Sequence, residues 1–297
     1  MTRLSAAATL TIAIWVSARA SMPVQTLWGI DRIGGRPTGV TGRGVDAYVI
    51  DTGVRRTHRD FGGRADWIGD FVGGGPASAD ADDCDPSPGH GTHVASILGG
   101  GSYGVATAVR IHALRILPCN GTTRTDMSAT VRAIDWITTH GSRPAVVNLS
   151  PARWQTPDTA VDDALRRSIA AGFSYVVSAG GIPDLSAFTP QRVVDAIVVG
   201  AATRENAAVQ THYGPTLTLF APGVQIEAAG RLSDTATFVA DGDSYAAPFA
   251  AGVVALYLEG HAGAAPAEVK RALIDGATRG ALDHVGEAPN RLLHVVR

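Results

Sequence analysis

"VDAYVIDTGVRRTHRDFGGRA" (Val45 to Ala65) opens on a mostly apolar run and ends that run on a carboxylate. Val45 to Asp51 predicts a strand buried on both faces, since such near-continuous Val/Ile runs leave no polar side for water. Asp51 then stands at the carboxyl end of that strand, just before Thr52-Gly53. Runs of the same texture follow at "VRIHALRIL" (Val109 to Leu117), "AVVNLS" (Ala145 to Ser150), "FSYVVSA" (Phe173 to Ala179), "VVDAIVVGA" (Val193 to Ala201) and "LTLFAPG" (Leu217 to Gly223). Helical periods lie between them. "HGTHVASILGG" carries Val94, Ile97 and Leu98 on one face. "TDMSATVRAIDWITTHG" has Thr125 as a cap, Val131, Ile134 and Ile137 in period, and Gly141 as a stop. "DTAVDDALRRSIAAG" repeats that arrangement. "DSYAAPFAAGVVALYLEG" predicts a long apolar central helix, and "APAEVKRALIDGA" a last amphipathic one. Strand and helix in alternation predict an α/β fold with a mostly parallel sheet flanked by helices.

The chain has 297 residues, 45% of them hydrophobic, enough for one large domain. Lys+Arg 25 against Asp+Glu 27 gives a net charge of −2, with no basic tract. That composition excludes nucleic acid or an anionic membrane surface as the main partner. Residues 1–20 read as an export signal: Arg3, an apolar stretch from Ala6 to Val16, then Ala18-Arg19-Ala20 as a small-x-small cleavage site. An uncleaved anchor is the alternative. Residues 21–297 then form one domain with no recognisable pro-region. The two cysteines, Cys84 and Cys119, fit one disulfide in an oxidising compartment or two buried thiols; neither has ligand-spaced neighbours for a metal.

Three residues stand where chemistry concentrates. Asp51 ends a strand, His90 opens a helix in "GHGTHVAS", and Ser244 opens another in "GDSYAAP". Open α/β sheets gather ligands at strand carboxyl ends and neighbouring helix starts. A serine hydroxyl is a poor nucleophile until an imidazole takes its proton, and a buried carboxylate fixes that imidazole's tautomer. Taken singly, each residue has a plainer use: Asp51 as a turn cap, His90 and His93 as packing residues, Ser244 as a helix cap.

These segments together resemble the subtilisin-like serine proteases, in particular the extracellular proteinase K-like branch, from "WGIDRI" almost to the C-terminus. The resemblance implies a three-layer subtilisin-like fold. It assigns Asp51, His90 and Ser244 as the catalytic aspartate, base and nucleophile, with His93 structural. It implies a Cys84–Cys119 disulfide. "VVNLSPAR" (Val146 to Arg153) resembles the strand that pairs with the substrate backbone, placing Ser150, Pro151 and Ala152 at the substrate. Ser178, Ala179 and Gly180 resemble the opposite wall of the specificity pocket. Pro151 and Arg153 depart from the family pattern, because proline removes a donor and Arg153 adds bulk and charge.

The largest departure is at the oxyanion region, formed by Gly181, Asp243 and the Ser244 backbone. The family places an Asn after the Ala-Gly pair, and its side-chain amide donates to the developing oxyanion; here that residue is Gly181. In subtilisin itself, losing that donor costs about 2.7–4 kcal/mol, a magnitude borrowed from that enzyme. Asp243 replaces the usual Thr before the nucleophile and would oppose the oxyanion if it faced it. Asn206 and Gln210 are candidate replacement donors. The expected activity is a secreted serine endopeptidase acting through an acyl-enzyme on an extended peptide or protein, as a monomer. The alternatives are a pseudoprotease that binds peptides, or an esterase-like acyl hydrolase. The chemistry needs no cofactor. "DADDCD" (Asp80 to Asp85) suggests a structural calcium site or a solvated acidic loop.

Overall fold

The structure is a computed structural model that describes residues 27–73, 81–119, 127–150, 157–181, 183–209, 212 and 214–296. The segment read as an export signal, and the Thr125 cap, lie outside the described residues. The strands are β1 (Asp46–Asp51), β2 (Ala65–Asp70), β3 (Arg110–Arg115), β4 (Ala145–Leu149), β5 (Ser174–Ser178), β6 (Ile197–Ala202), β7 (Leu217–Pro222), β8 (Ile226–Ala229), β9 (Thr237–Ala240), β10 (Thr278–Arg279) and β11 (Arg291–Leu292). The helices are α1 (Trp28–Arg32), α2 (His90–Gly99), α3 (Met127–His140), α4 (Thr159–Ala170), α5 (Asp243–Gly260) and α6 (Pro266–Gly276).

A nine-stranded sheet runs β10-β11-β7-β6-β5-β4-β1-β3-β2, parallel throughout except for the β10–β11 pair; β8 and β9 form a separate antiparallel hairpin. The order reverses at β1: the chain first goes outward through β2 and β3, then crosses back to β4. The carboxyl end of β1 is therefore a topological switch point, where adjoining connections diverge and leave a crevice.

Alternation along the buried strands explains their unbroken apolar texture. Ala47 and Val49 of β1 pack with α2 and α5 in one core, while Tyr48 and Ile50 pack with α3 and α4 in the other. Helices thus cover both faces, giving the three-layer α/β architecture. α5 is apolar nearly all round because α2 and α6 lie against it as well as the sheet. α4 begins as its sequence predicts, with the Asp158 carboxylate accepting from the Ala160 and Val161 N–H groups. Cys84 and Cys119 are disulfide-bonded, closing a separation of 35 residues between the loop before α2 and the chain just past β3. A cross-link of that span adds about 2–4 kcal/mol to stability, mainly by restricting the unfolded chain.

At the amino end of the strands, remote from the switch point, His112 is held between two carboxylates. Its Nε2 bonds Asp46 Oδ1 and its Nδ1 bonds Asp66 Oδ1, each at 2.7 Å, and Arg110 makes a bidentate pair with Asp46. Both ring nitrogens must donate, so the imidazole is charged. Burial by itself would lower its pKa, but the hydrogen bonds and charges of Asp46 and Asp66 outweigh burial and raise it from 6.5 to about 9. A pKa raised on folding stabilises the fold fully below the unfolded value and loses that contribution as pH climbs through the folded one. Chemical denaturation should therefore show stability falling between pH 6.5 and about 9, and His112→Gln should flatten that slope.

Candidate active site

Asp51 ends β1 at the switch point and is wholly buried. A buried carboxylate is costly unless donors meet it. Its Oδ1 accepts from the Thr52 N–H and from His90 Nδ1, both at 2.7 Å. The turn-cap use and the histidine-orienting use of Asp51 thus coexist in one oxygen. His90 is the first residue of α2, and two glycines make its approach possible. Gly89 caps the helix at φ 115°, in the left-handed region, and a Cβ on Gly91 would lie 2.2 Å from the Gly53 carbonyl oxygen.

A second carboxylate holds the two segments together. Thr52 Oγ1 accepts from the Gly91 N–H at 2.9 Å and donates to Asp83 Oδ1 at 2.8 Å. Asp83 Oδ2 accepts the Thr92 N–H at 2.8 Å and the Thr92 hydroxyl at 2.6 Å. Asp85 Oδ2 accepts the His90 N–H at 3.1 Å and the Ser87 hydroxyl at 2.5 Å. Asp83 and Asp85 of the acidic loop are thus turned onto protein donors; Asp80 lies outside the described residues. Among the described residues, no group of three or more His, Cys, Asp or Glu is placed to hold a metal ion.

With Asp51 on Nδ1, the free edge of His90 points outward, its side chain 18% exposed. Burial would lower its pKa, but the Asp51 charge and hydrogen bond prevail and raise it above 6.5. The Tyr245 ring lies beside it, centroids 5.3 Å apart. His93 is different: burial pushes its pKa down to about 3, its Nε2 bonds the Ile226 carbonyl, and it packs between Phe238 and Tyr245 as a neutral core residue.

Ser244 is the second residue of α5, after Gly242 as the cap and Asp243. Its hydroxyl does not cap the helix; it donates to the Ser150 carbonyl at 2.9 Å. That same carbonyl accepts from the Ser178 hydroxyl at 3.3 Å. The Ser150 carbonyl therefore joins the hydroxyls of Ser244 and Ser178; Ala179 and Gly180 follow Ser178 in the chain, and Gly180 and Gly181 are both left-handed at φ 75° and 66°. Pro151, Ala152 and Arg153 lie outside the described residues.

The residues expected at the oxyanion region have an arrangement that the sequence does not foretell. Asp243 turns its carboxylate back toward the sheet. Its Oδ2 accepts the Gly181 N–H and its Oδ1 the Ala201 N–H, each at 2.7 Å, and His212 Nε2 stands 3.4 Å from Oδ2. Asn206 is turned elsewhere, accepting from Arg32 Nε at 2.7 Å, and Gln210 lies outside the described residues.

Residues 42–291 match the Subtilase family. This chain belongs to the subtilase family. It is 40% identical to the extracellular serine proteinase of a Thermus species over 90% of this chain, and 36% identical to alkaline serine exoprotease A of Vibrio alginolyticus over 94%. The crystal structure of a cold-adapted subtilisin-like serine proteinase superposes with a TM-score of 0.83 at 36% identity, covering 91% of this chain and 98% of that one. The matches span 65% and 52% of the first two relatives' own lengths.

Sequence reasoning missed Asp83 and His212 as parts of this subtilase site. Asp83 was hidden in an acidic run read as a surface feature; its one signal was the hydroxyl-bearing Thr52 and Thr92 beside the two motifs it joins. In this subtilase, Asp83→Ala leaves buried Thr52 and Thr92 donors without their acceptor. Equilibrium unfolding should show a loss of at least about 2 kcal/mol, because hydrogen bonds to a buried carboxylate are costly to leave open.

Proposed function

We propose that this subtilase is a secreted serine endopeptidase, exported by residues 1–20, with residues 21–297 as the peptidase domain. The observation that supports this reading is the 2.7 Å Asp51–His90 contact at the start of α2, with the ring of Tyr245, the residue after Ser244 in α5, packed beside His90. Asp51 holds the proton on Nδ1, so Nε2 is free to act as base. The Ser244 hydroxyl leaves the Ser150 carbonyl, gives its proton to Nε2 and attacks a peptide carbonyl carbon. The imidazolium, supported by Asp51, protonates the leaving amine. Water then hydrolyses the acyl-enzyme by the same relay in reverse. The Ser244 N–H, in the first turn of α5, is the donor left for the oxyanion, since Gly181 has no side chain and its own N–H is taken by Asp243. Extended peptide would lie along the ends of β4 and β5, pairing through backbone groups. Among the described residues no helix is long and apolar enough to cross a membrane.

That engaged Gly181 N–H also favours a second reading, a peptide-binding pseudoprotease, and a poor oxyanion site favours esters over amides. A fluorophosphonate probe separates them: it should label Ser244, and Ser244→Ala should abolish labelling, whereas no labelling of folded protein selects the binding module. Gly181→Asn should speed acylation, because φ 66° is a conformation asparagine tolerates. No gain with the new amide aimed at the substrate oxygen contradicts the missing-donor argument.

The base must be neutral to accept a proton. kcat/KM should therefore rise with pH along a limb centred above 6.5, the direction Asp51 imposes on His90. Asp51→Asn should move that limb to lower pH and cut kcat by about 10⁴, the loss seen when another serine protease's aspartate is so replaced.

A further inference from the structure

The Asp243 carboxylate stands one residue before the nucleophile, yet only 6% of the residue is exposed, and its oxygens face the protein interior. A carboxylate in the first turn of a helix commonly faces solvent or the helix's own free N–H groups. Here it joins separate parts of the fold. Oδ2 takes the N–H of Gly181, in the left-handed turn that follows β5. Oδ1 takes the N–H of Ala201, within β6. His212, wholly buried in the segment leading to β7, brings Nε2 to 3.4 Å from Oδ2. The chain leaves β5 through two successive glycines, whose backbone restrains itself poorly. Something outside that turn must hold it, and Asp243 has its hydrogen bond.

We propose that Asp243 is a positioning residue for the oxyanion site: it clamps the Gly180–Gly181 turn and β6 to the start of α5, and so fixes the Ser244 N–H relative to the wall against which the substrate carbonyl lies. The clamp also turns a negative charge beside the nucleophile onto two amides and away from the developing oxyanion. This inference rests on the reading of Ser244 as the acylated residue. It differs from a general stabilising role, because the groups it ties together border a single carbonyl-binding position.

The test compares Asp243→Asn and His212→Gln with the wild-type chain. A carboxamide at 243 can accept from one N–H but must present its own N–H₂ to the other, so the clamp opens without removing bulk. Three quantities are read: deuterium exchange at the Gly181 amide, the acylation rate with an activated ester, and KM. In Asp243→Asn, Gly181 exchange should accelerate and acylation should slow by about 10- to 100-fold, the scale of an ångström's misplacement, with KM changed by less than about two-fold. His212→Gln keeps the carboxylate and should shift both quantities the same way by less. Faster Gly181 exchange with acylation unchanged overturns the proposal. So does a loss of acylation that merely follows general unfolding, seen as faster exchange throughout the core. Should Asp243→Asn fail to fold, unchanged acylation and Gly181 exchange in His212→Gln overturn the proposal. A folded wild-type chain that never acylates defeats the hydrolase reading itself, a result distinct from normal wild-type acylation with unaffected variants.

Discussion

A fully buried carboxylate at the end of a central strand is the constraint on which the site rests. Asp51 is shut away from bulk solvent, so its charge depends on donors from the surrounding chain. One comes from the next peptide unit and one from the His90 imidazole. The imidazole can reach because Gly89 and Gly91 allow α2 to start against the Asp51–Gly53 turn. Thr52, Thr92 and Asp83 then hold that helix start in place. The position of β1 at the sheet's reversal follows the same logic, since elsewhere a neighbouring connection would cover the strand end.

Two different electrostatic solutions meet the histidine at the start of α2 and the aspartate at the start of α5. Around His90 a carboxylate raises the affinity of a base for its proton. Around Asp243 a carboxylate accepts from two backbone amides, with His212 Nε2 3.4 Å away. In the second, Gly181 and Asp243 are intelligible only together: a free Gly181 N–H and a free Asp243 carboxylate in this corner would each need a partner.

Much of the fold was legible because buried parallel strands and their covering helices leave strong local patterns. β1, β3, β4, β5 and β7 each fall inside a run that reads as apolar, β6 overruns its run by one residue, and α2 to α6 fall inside helical periods. β2 escaped because Asp66, Trp67 and Asp70 interrupt it on an exposed sheet edge with an irregular register. β10 and β11 are two residues each and owe their form to the strand beside them. Asp51, His90 and Ser244 sit in distinctive sequence contexts, so their places at a strand end and at two helix starts could be read. The direction of the Asp243 side chain could not, because it depends on amides 62 and 42 residues away. The Ser244 hydroxyl was likewise settled by a carbonyl 94 residues distant.

The placement of α5 has a consequence for how the chain acquires its chemistry. The carboxylate and the imidazole come from the first third of the sequence. The hydroxyl arrives on a helix that packs beneath β4, β5, β6 and β7. During synthesis on a ribosome, α2 emerges long before α5, the helix it packs on most. The start of α2 is therefore fixed in place only when the last large apolar helix inserts, a step slowed by the long loops it must close. The element that completes the core also carries Ser244 to the Ser150 carbonyl.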